Sequence, residues 1–417
     1  MTESSLKSIT PDGITGMIFA LEGVKNSLVL LNGPMGCRFY HSTTSQFLSI
    51  HPLLYLPAGE SGEKVPVDYN YLNDWFFRQQ RVPCTYLDGY DYVYGTKDKV
   101  SRALDFIREN VSCALLAVIN SPGAALIGDE LSELAREKMG DIPVVTLESP
   151  GWSTSFELGC SEASLALLKQ LGPALRKSPE AKKSGAKKKV NILGLSIWQR
   201  YMQGDRQELE RLFALCGVEV SCCLCAESSL DEIAAMPDAD LNAVLCPEMG
   251  LAAAQYLKER FGTEYYVCPV PPIGFSATER VFADICALLG VSDEAVREQS
   301  ERARALAWYK INAVHHQYGK PKGVKFYVEC SPSFARGYRE FFTGYFGMQE
   351  SEAAQAELVF ADANLIAALM LENKSFCGIE VSLPGMGYID LVPKTHLGTQ
   401  GALFLTEQVL NGLMHNL

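Results

Sequence analysis

Residues 190–262, VNILGLSIWQRYMQGDRQELERLFALCGVEVSCCLCAESSLDEIAAMPDADLNAVLCPEMGLAAAQYLKERFG, alternate short apolar runs with longer amphipathic ones. Val190 to Leu195 reads as a strand, Asp205 to Cys216 as a helix closed by Gly217, and Val218 to Cys225 as the next strand. Ser229 to Met236 then reads as a helix, Ala243 to Cys246 as a strand, and Leu251 to Arg260 as a helix ended by Gly262. Strands of four to eight residues separated by helices of about ten need crossover connections, which only a parallel sheet supplies. The stretch is a doubly wound α/β unit.

The same rhythm extends in both directions. Upstream, Ser27 to Leu31, Ala114 to Ile119 and Pro143 to Leu147 alternate with helix-like Lys97 to Glu109 and Asp129 to Met139. Downstream, a long amphipathic stretch from Asp293 to Tyr318, followed by Gly319 and Pro321, precedes a strand at Val324 to Glu329 and a helix at Ser333 to Tyr345. Between the first two parts, RKSPEAKKSGAKKK at 176–189 carries seven basic residues against one Glu and no large apolar residue, so it reads as a solvated linker. The expected organisation is a first α/β domain over 1–175, the linker over 176–189, a second domain over 190–292, and a long helix with a short third domain over 293–417.

Composition bounds the partners. With 37 basic against 49 acidic residues the 417-residue chain carries a formal charge of −12, unsuited to a broad nucleic-acid surface, which needs clustered Lys and Arg. A hydrophobic fraction of 47% and a charged fraction of 21% are those of a globular protein. No run reaches the ~18 apolar residues of a membrane span, and MTESSLKSITPDG at the start lacks a basic segment leading into an apolar one, so no membrane partner and a cytoplasmic location are expected. Thirteen cysteines in a chain this long fit reduced thiols or metal ligands better than a disulfide framework.

There is no GxxxxGK[ST] phosphate loop, no GxGxxG at a strand-to-helix junction, no HExxH and no GxSxG. ATP hydrolysis, zinc hydrolysis and serine-hydrolase chemistry therefore lack their local signatures. The informative residues are cysteines. Cys37 ends Leu30-Leu31-Asn32-Gly33-Pro34-Met35-Gly36-Cys37, where small residues let backbone approach a bulky ligand; it reads as a metal ligand or as a small hydrophobe at a tight turn. Cys246 ends a strand and precedes a helix, in the crevice where α/β domains bind ligands, and reads equally as a buried thiol. Cys222, Cys223 and Cys225 lie on one expected strand, so a shared metal would require a break in it. His315 and His316 end the long helix and need no ligand role, and His396 in a Gly-rich turn borders either the cleft or the surface.

Taken together, Cys37, the segment Pro83-Cys84-Thr85 followed by Tyr92-Val93-Tyr94-Gly95, Leu126-Ile127-Gly128-Asp129-Glu130, and Pro272-Ile273-Gly274-Phe275-Ser276-Ala277-Thr278-Glu279 resemble the nitrogenase component 1 family, in the same order and at similar spacing. Gly323 to Phe334 with Phe346-Gly347-Met348, and Leu397 to Leu413, resemble its later pieces, so the likeness spans nearly the whole chain. The family includes nitrogenase catalytic proteins, their cofactor-assembly scaffolds, the dark protochlorophyllide reductase, a nickel-tetrapyrrole cyclase and reductases of carbon–sulfur bonds.

The resemblance implies three Rossmann-like doubly wound parallel-sheet domains around a central cleft. It also implies an iron-sulfur cluster, [4Fe-4S], at the interface of a dimer, held by first-domain cysteines of which Cys37 and Cys84 are two. The third family cysteine falls on Pro122, which cannot ligate iron, and Cys113, at the far end of the preceding strand, is kept as a core residue. Cys246 matches the position that binds the active-site cluster in nitrogenase, whereas that cluster's histidine would fall near Gly387, where there is none. Dinitrogen reduction on the familiar cofactor is therefore not expected; a different metal cofactor or a tetrapyrrole in the cleft is. The implied function is the catalytic component of a two-component reductase that takes electrons from a separate iron-protein ATPase. The alternatives are an assembly scaffold for a metal cluster or tetrapyrrole, or a chain completing the dimer of a paralogue, and the dimer itself is either a homodimer or a heterodimer with such a paralogue.

Overall fold

The computed structural model describes residues 11–34, 37, 82–148, 154–172, 174–177, 187–372, 375–383, 385 and 390–415, with the backbone of 65–66. Residues 178–186 of the expected linker and 386–389 around the missing histidine lie outside the described residues. The chain divides into two compact units, Pro11–Ser178 with Leu224–Pro237, and Pro179–Cys223 with Asp238–Leu417.

The first unit runs α1 (Gly13–Glu22), β1 (Ser27–Asn32), β2 (Val65–Pro66), α2 (Gly89–Tyr94), α3 (Lys97–Asn110), β3 (Val111–Ser112), β4 (Leu115–Asn120), α4 (Pro122–Ile127), α5 (Leu131–Met139), β5 (Val144–Leu147) and α6 (Phe156–Gln170). Its main sheet is parallel, in the order β1-β4-β5, with Ser27 opposite Leu115 and Leu116 opposite Val144. SLVLLN and LLAVIN are apolar without alternation because both faces of the sheet are covered. On one face, Val100, Leu104 and Ile107 of α3 and Leu131, Ala135 and Met139 of α5, spaced three and four apart, pack against Leu28, Leu30, Leu116 and Val118, and Cys113 joins this core from its edge. Helices α1 and α6 meet through glycine: a Cβ on Gly16 would lie 2.0 Å from the Phe156 carbonyl oxygen, and one on Gly159 would lie 1.9 Å from that of Gly13.

The second unit begins with β6 (Lys188–Leu193), α7 (Met202–Leu215) and β7 (Val218–Cys223). The chain then places α8 (Leu230–Ala234) in the first unit, where Lys25 N donates to Ser228 O at 2.8 Å and Ser228 N donates to Gly23 O at 3.1 Å. Strand β7 stops at Cys223, two residues short of the expected end, because Cys225 takes a left-handed φ of 57°. The unit resumes with β8 (Leu241–Val244), α9 (Pro247–Phe261), β9 (Glu264–Val267), α10 (Phe275–Leu289), α11 (Glu294–Tyr318), β10 (Lys325–Val328), α12 (Pro332–Phe346), β11 (Gln349–Glu350), β12 (Leu358–Ala361), α13 (Ala363–Leu371), β13 (Cys377–Glu380) and α14 (Gly398–His415).

Its two sheets are parallel, in the orders β7-β6-β8-β9 and β11-β10-β12-β13. The second is fastened by aromatic packing, with Phe342 of α12 edge-on to Phe326 at 5.3 Å between centroids and tilted against Phe360 at 4.4 Å. The parallel α/β class read from the sequence is the class found, and the strand and helix ends of 190–262 fall within a few residues of expectation. Among the described residues no helix is long and apolar enough to cross a membrane.

Candidate functional site

Two places gather chemically active side chains, each at the carboxyl ends of parallel strands, where connecting loops leave space for ligands. The first is in the Pro11–Ser178 unit. The end of β1 is held by Asn32, whose side chain donates to Asn120 Oδ1 at 2.9 Å and accepts from Thr85 Oγ1 at 2.9 Å. Segment 82–85 lies alongside β1, because Leu31 N donates to Pro83 O at 2.9 Å and Thr85 N to Leu31 O at 3.0 Å. This fixes Cys84 beside the strand end, buried. Cys37 follows the turn out of β1, its N–H donating to Pro34 O at 3.2 Å, and is half-buried. Burial raises the Cys37 thiol above its ordinary range, and the negative charges available at Asp12 and Cys84 add to that, so the two thiols lie within electrostatic reach of each other.

Pro122 shares this edge. Ser121 N donates to Asn32 O at 2.9 Å, and a Cβ on Gly33 would come within 2.6 Å of Ser121 Cβ. Pro122 occupies the first position of α4, where its missing N–H costs nothing, with Ser121 as the cap. The structure thus brings Cys37, Cys84 and Pro122 to one edge. Among the described residues no group of three or more His, Cys, Asp or Glu is arranged to hold a metal. A [4Fe-4S] cluster needs about four thiolates. The pair found here is half of such a set.

The second place is a small recess of about 20 Å³, room for about one water, at the ends of β6, β10 and β13, walled by Trp198, Arg200, Tyr201, Cys330, Tyr338 and His396 among others. His396 is buried: Tyr338 Oη donates to its Nδ1 at 2.7 Å, and its Nε2 donates to Gln408 Oε1 at 2.7 Å, the assignment that satisfies both ring nitrogens. Burial pulls its pKa down to about 3, so the ring is neutral. The turn carrying it is pinned by Asp205 Oδ1, which accepts from Thr395 Oγ1 at 2.7 Å, His396 N at 2.8 Å and Leu397 N at 3.2 Å. Burial nonetheless pushes the Asp205 carboxyl up to about 6. Arg200 pairs with Asp390 at 2.8 Å and lies 3.5 Å from Glu380, and burial raises Tyr201 to about 12.

Cys246 is buried at the start of α9, outside the walls of this recess. Gly194, at φ 88°, makes room for it: a Cβ there would lie 2.6 Å from Cys246 N. Cys246 Sγ donates to Glu248 Oε2 at 3.0 Å, and the same carboxylate accepts from Ser333 Oγ at 2.7 Å with Arg336 3.8 Å away. Burial would raise Glu248, but the bonds from Cys246 and Ser333 outweigh it and hold the carboxyl below its ordinary range. An ionised carboxylate in contact with Cys246 opposes the thiolate that a metal would require, so these residues do not fit a metal at Sγ.

Cys222 and Cys223 are fully buried, and burial pushes the Cys225 thiol to about 12. The sequence leaves His396 between cleft and surface; it is inside. Sequence reasoning misses Arg200, Tyr201, Asp205, Tyr338 and Gln408. The available signal is position alone, since WQRYMQGD follows a strand end in a doubly wound unit.

A parallel α/β protein with paired thiols at one set of strand ends and a polar recess at another is a candidate redox protein. A family model described as nitrogenase component 1 type oxidoreductase matches residues 13–373, and the chain belongs to that family, which binds iron-sulfur clusters. One subunit of the light-independent protochlorophyllide reductase of Synechococcus sp. (strain WH7803) is 31% identical over 240 residues, covering 56% of this chain and 45% of that protein. Its counterpart from Synechococcus sp. (strain CC9311) is 30% identical over 338 residues, covering 78% and 62%. The chain therefore spans between about half and just under two thirds of these relatives. The solved structure "Nitrogenase Cp1 at pH 5" superposes with a TM-score of 0.70 over 97% of this chain and 88% of that one, at 16% identity, and shows the shared fold.

Proposed function

We propose that this chain is the catalytic component of a two-component, ATP-dependent reductase, receiving electrons from a separate iron-protein ATPase and reducing a tetrapyrrole, the substrate class named for its protochlorophyllide reductase relatives. The observation that carries the reading is the pair Cys37 and Cys84 on one strand-end edge of a chain matched to the family over 13–373. Cys37 and Cys84 would hold one side of a [4Fe-4S] cluster, and two chains supply the four ligands, so a homodimer bridged by one cluster follows. When bound, the cluster supplies electrons; the chain's residues position, shield and donate protons.

The face beside these thiols favours a docking partner. Tyr90, Val93 and Tyr94 of α2 and Leu126 of α4 are 69–74% exposed, and Tyr92 packs against Gly123, joining the two helices. An apolar, aromatic face of this kind suits a protein partner, and the absence of a phosphate loop here assigns ATP hydrolysis to that partner. In the other unit, Cys246 carries a proton at Sγ against Glu248, and Tyr201 and Arg200 offer donors at the recess.

Pro122 favours a second reading, a heterodimer in which a paralogue donates the remaining ligands. The test is turnover of protochlorophyllide, followed by its absorbance. Dithionite alone should give none, and activity should appear on adding an iron-protein ATPase with MgATP. ATP hydrolysis by this chain alone would contradict the division of labour, and an inactive but cluster-loaded complex would favour the scaffold reading.

A further inference from the structure

We propose that Cys216 and Cys286 form an oxidisable dithiol, a modification site at which a peroxide converts two thiols into one disulfide. The site lies away from Cys37, Cys84 and Cys246 and stands independently of the reductase reading. Cys216 caps the C-terminus of α7, and Cys286 lies on α10. The two helices meet one turn earlier through Phe213 and Phe282, whose ring centroids are 4.7 Å apart. Cys216 and Cys286 lie three and four residues further along, and their thiols are close enough to perturb each other's titration.

Access is unequal. Cys216, 8% exposed, walls an open recess of about 440 Å³ with Gly217, Ser292, Ala295 and Glu298, whereas Cys286 is 1% exposed and does not line it. An oxidant therefore meets Cys216 first. The neighbouring Cys286 thiol pulls the Cys216 thiol below its ordinary range despite burial and the charge of Asp293, and Cys216 with burial holds Cys286 up. Two neighbouring thiols that interact this way form the first thiolate more easily than the second, which suits an attacking and a resolving cysteine.

The chemistry balances with hydrogen peroxide as the oxidant. The Cys216 thiolate attacks one peroxide oxygen, the O–O bond breaks, and the departing hydroxide takes a proton to become water, leaving Cys216 as a sulfenic acid. Cys286 then attacks the Cys216 sulfur; its thiol proton leaves with the sulfenic oxygen as a second water, and an S–S bond forms. Two thiols and one peroxide give one disulfide and two waters, with two electrons passing from sulfur to oxygen. A dithiol reductant reverses the bond by exchange.

The test uses the full chain, purified anaerobically, treated with one equivalent of hydrogen peroxide, alkylated and mapped by peptide mass spectrometry without reduction. Cys216 and Cys286 should lose alkylation together, one for one, with a cross-linked peptide pair lighter by two hydrogens; dithiothreitol should restore both. In Cys286→Ser, Cys216 should halt as a sulfenic acid trapped by dimedone. Wild-type protein in which both thiols stay alkylatable would overturn the proposal. So would Cys216 proceeding to sulfinic acid while Cys286 stays a thiol, a readout that needs no variant to fold.

Discussion

Two sets of strand ends in one chain carry opposite chemistry. At the ends of β1 and β4 the donors are soft: a half-buried Cys37 and a buried Cys84, with exposed Tyr90, Val93, Tyr94 and Leu126 beside them. At the ends of β6, β10 and β13 the groups are hard and enclosed: a neutral His396 between Tyr338 and Gln408, a buried Asp205 with three hydrogen bonds, and Arg200 between carboxylates. Topology offers the same crevice in each case. What differs is the use made of it. The first edge leaves two thiols beside an exposed apolar face, whereas the second ties its polar groups to one another and is pre-organised.

The largest expected effect breaks the first side of the comparison. Cys37→Ser and Cys84→Ser should each abolish the visible absorbance of an iron-sulfur cluster and turnover, while circular dichroism stays unchanged, because neither thiol is needed for the sheet. The second side should respond in stability. Asp205→Ala strands the buried His396 N–H and takes one of two partners from Leu397 N and the Thr395 hydroxyl, and should cost roughly 2 kcal/mol in urea unfolding, since a buried donor left without a partner is expensive.

The last effect is a slope. The folded-state pKa of His396, about 3, lies below its ordinary 6.5, so between these values the unfolded chain binds a proton that the folded one does not. Stability contributed by the neutral ring is present above pH 6.5 and lost as pH falls toward 3. Asp205 is shifted upward and acts with the opposite sign, so the effect is read as a difference from His396→Gln, which retains Asp205. That difference in unfolding free energy should change by about 1.4 kcal/mol per pH unit in this window. A flat difference would place His396 in water and undo the contrast between the two sites.

The parallel sheets are legible in the sequence because periodicity and punctuation agree locally. VNIL, LNAV and their capping Gly217 and Gly262 need no distant partner to be read. Strand β7 reads too long because CCLC is apolar throughout, and the left-handed turn at Cys225 leaves no mark in hydrophobicity. The cysteine edge is legible through motif order, as Cys37 and Cys84 each sit in a Pro- or Gly-bearing turn. The recess is not. Asp205 meets Thr395 across 190 residues, and Tyr338 meets His396 across 58, so no window of sequence holds both partners. Such networks are set by tertiary packing, which periodicity does not encode.

Cys37 and Cys84 stand, in the proposed reductase, as half of a ligand set completed by a second chain. Iron content and native mass, measured together on the anaerobically purified full chain expressed alone, test this most directly. The prediction is a dimer carrying about four irons with a bridging cluster, and weakened dimerisation once the cluster is removed. A fully dimeric protein that is free of iron, and that gains no cluster on reconstitution with iron and sulfide, would contradict it.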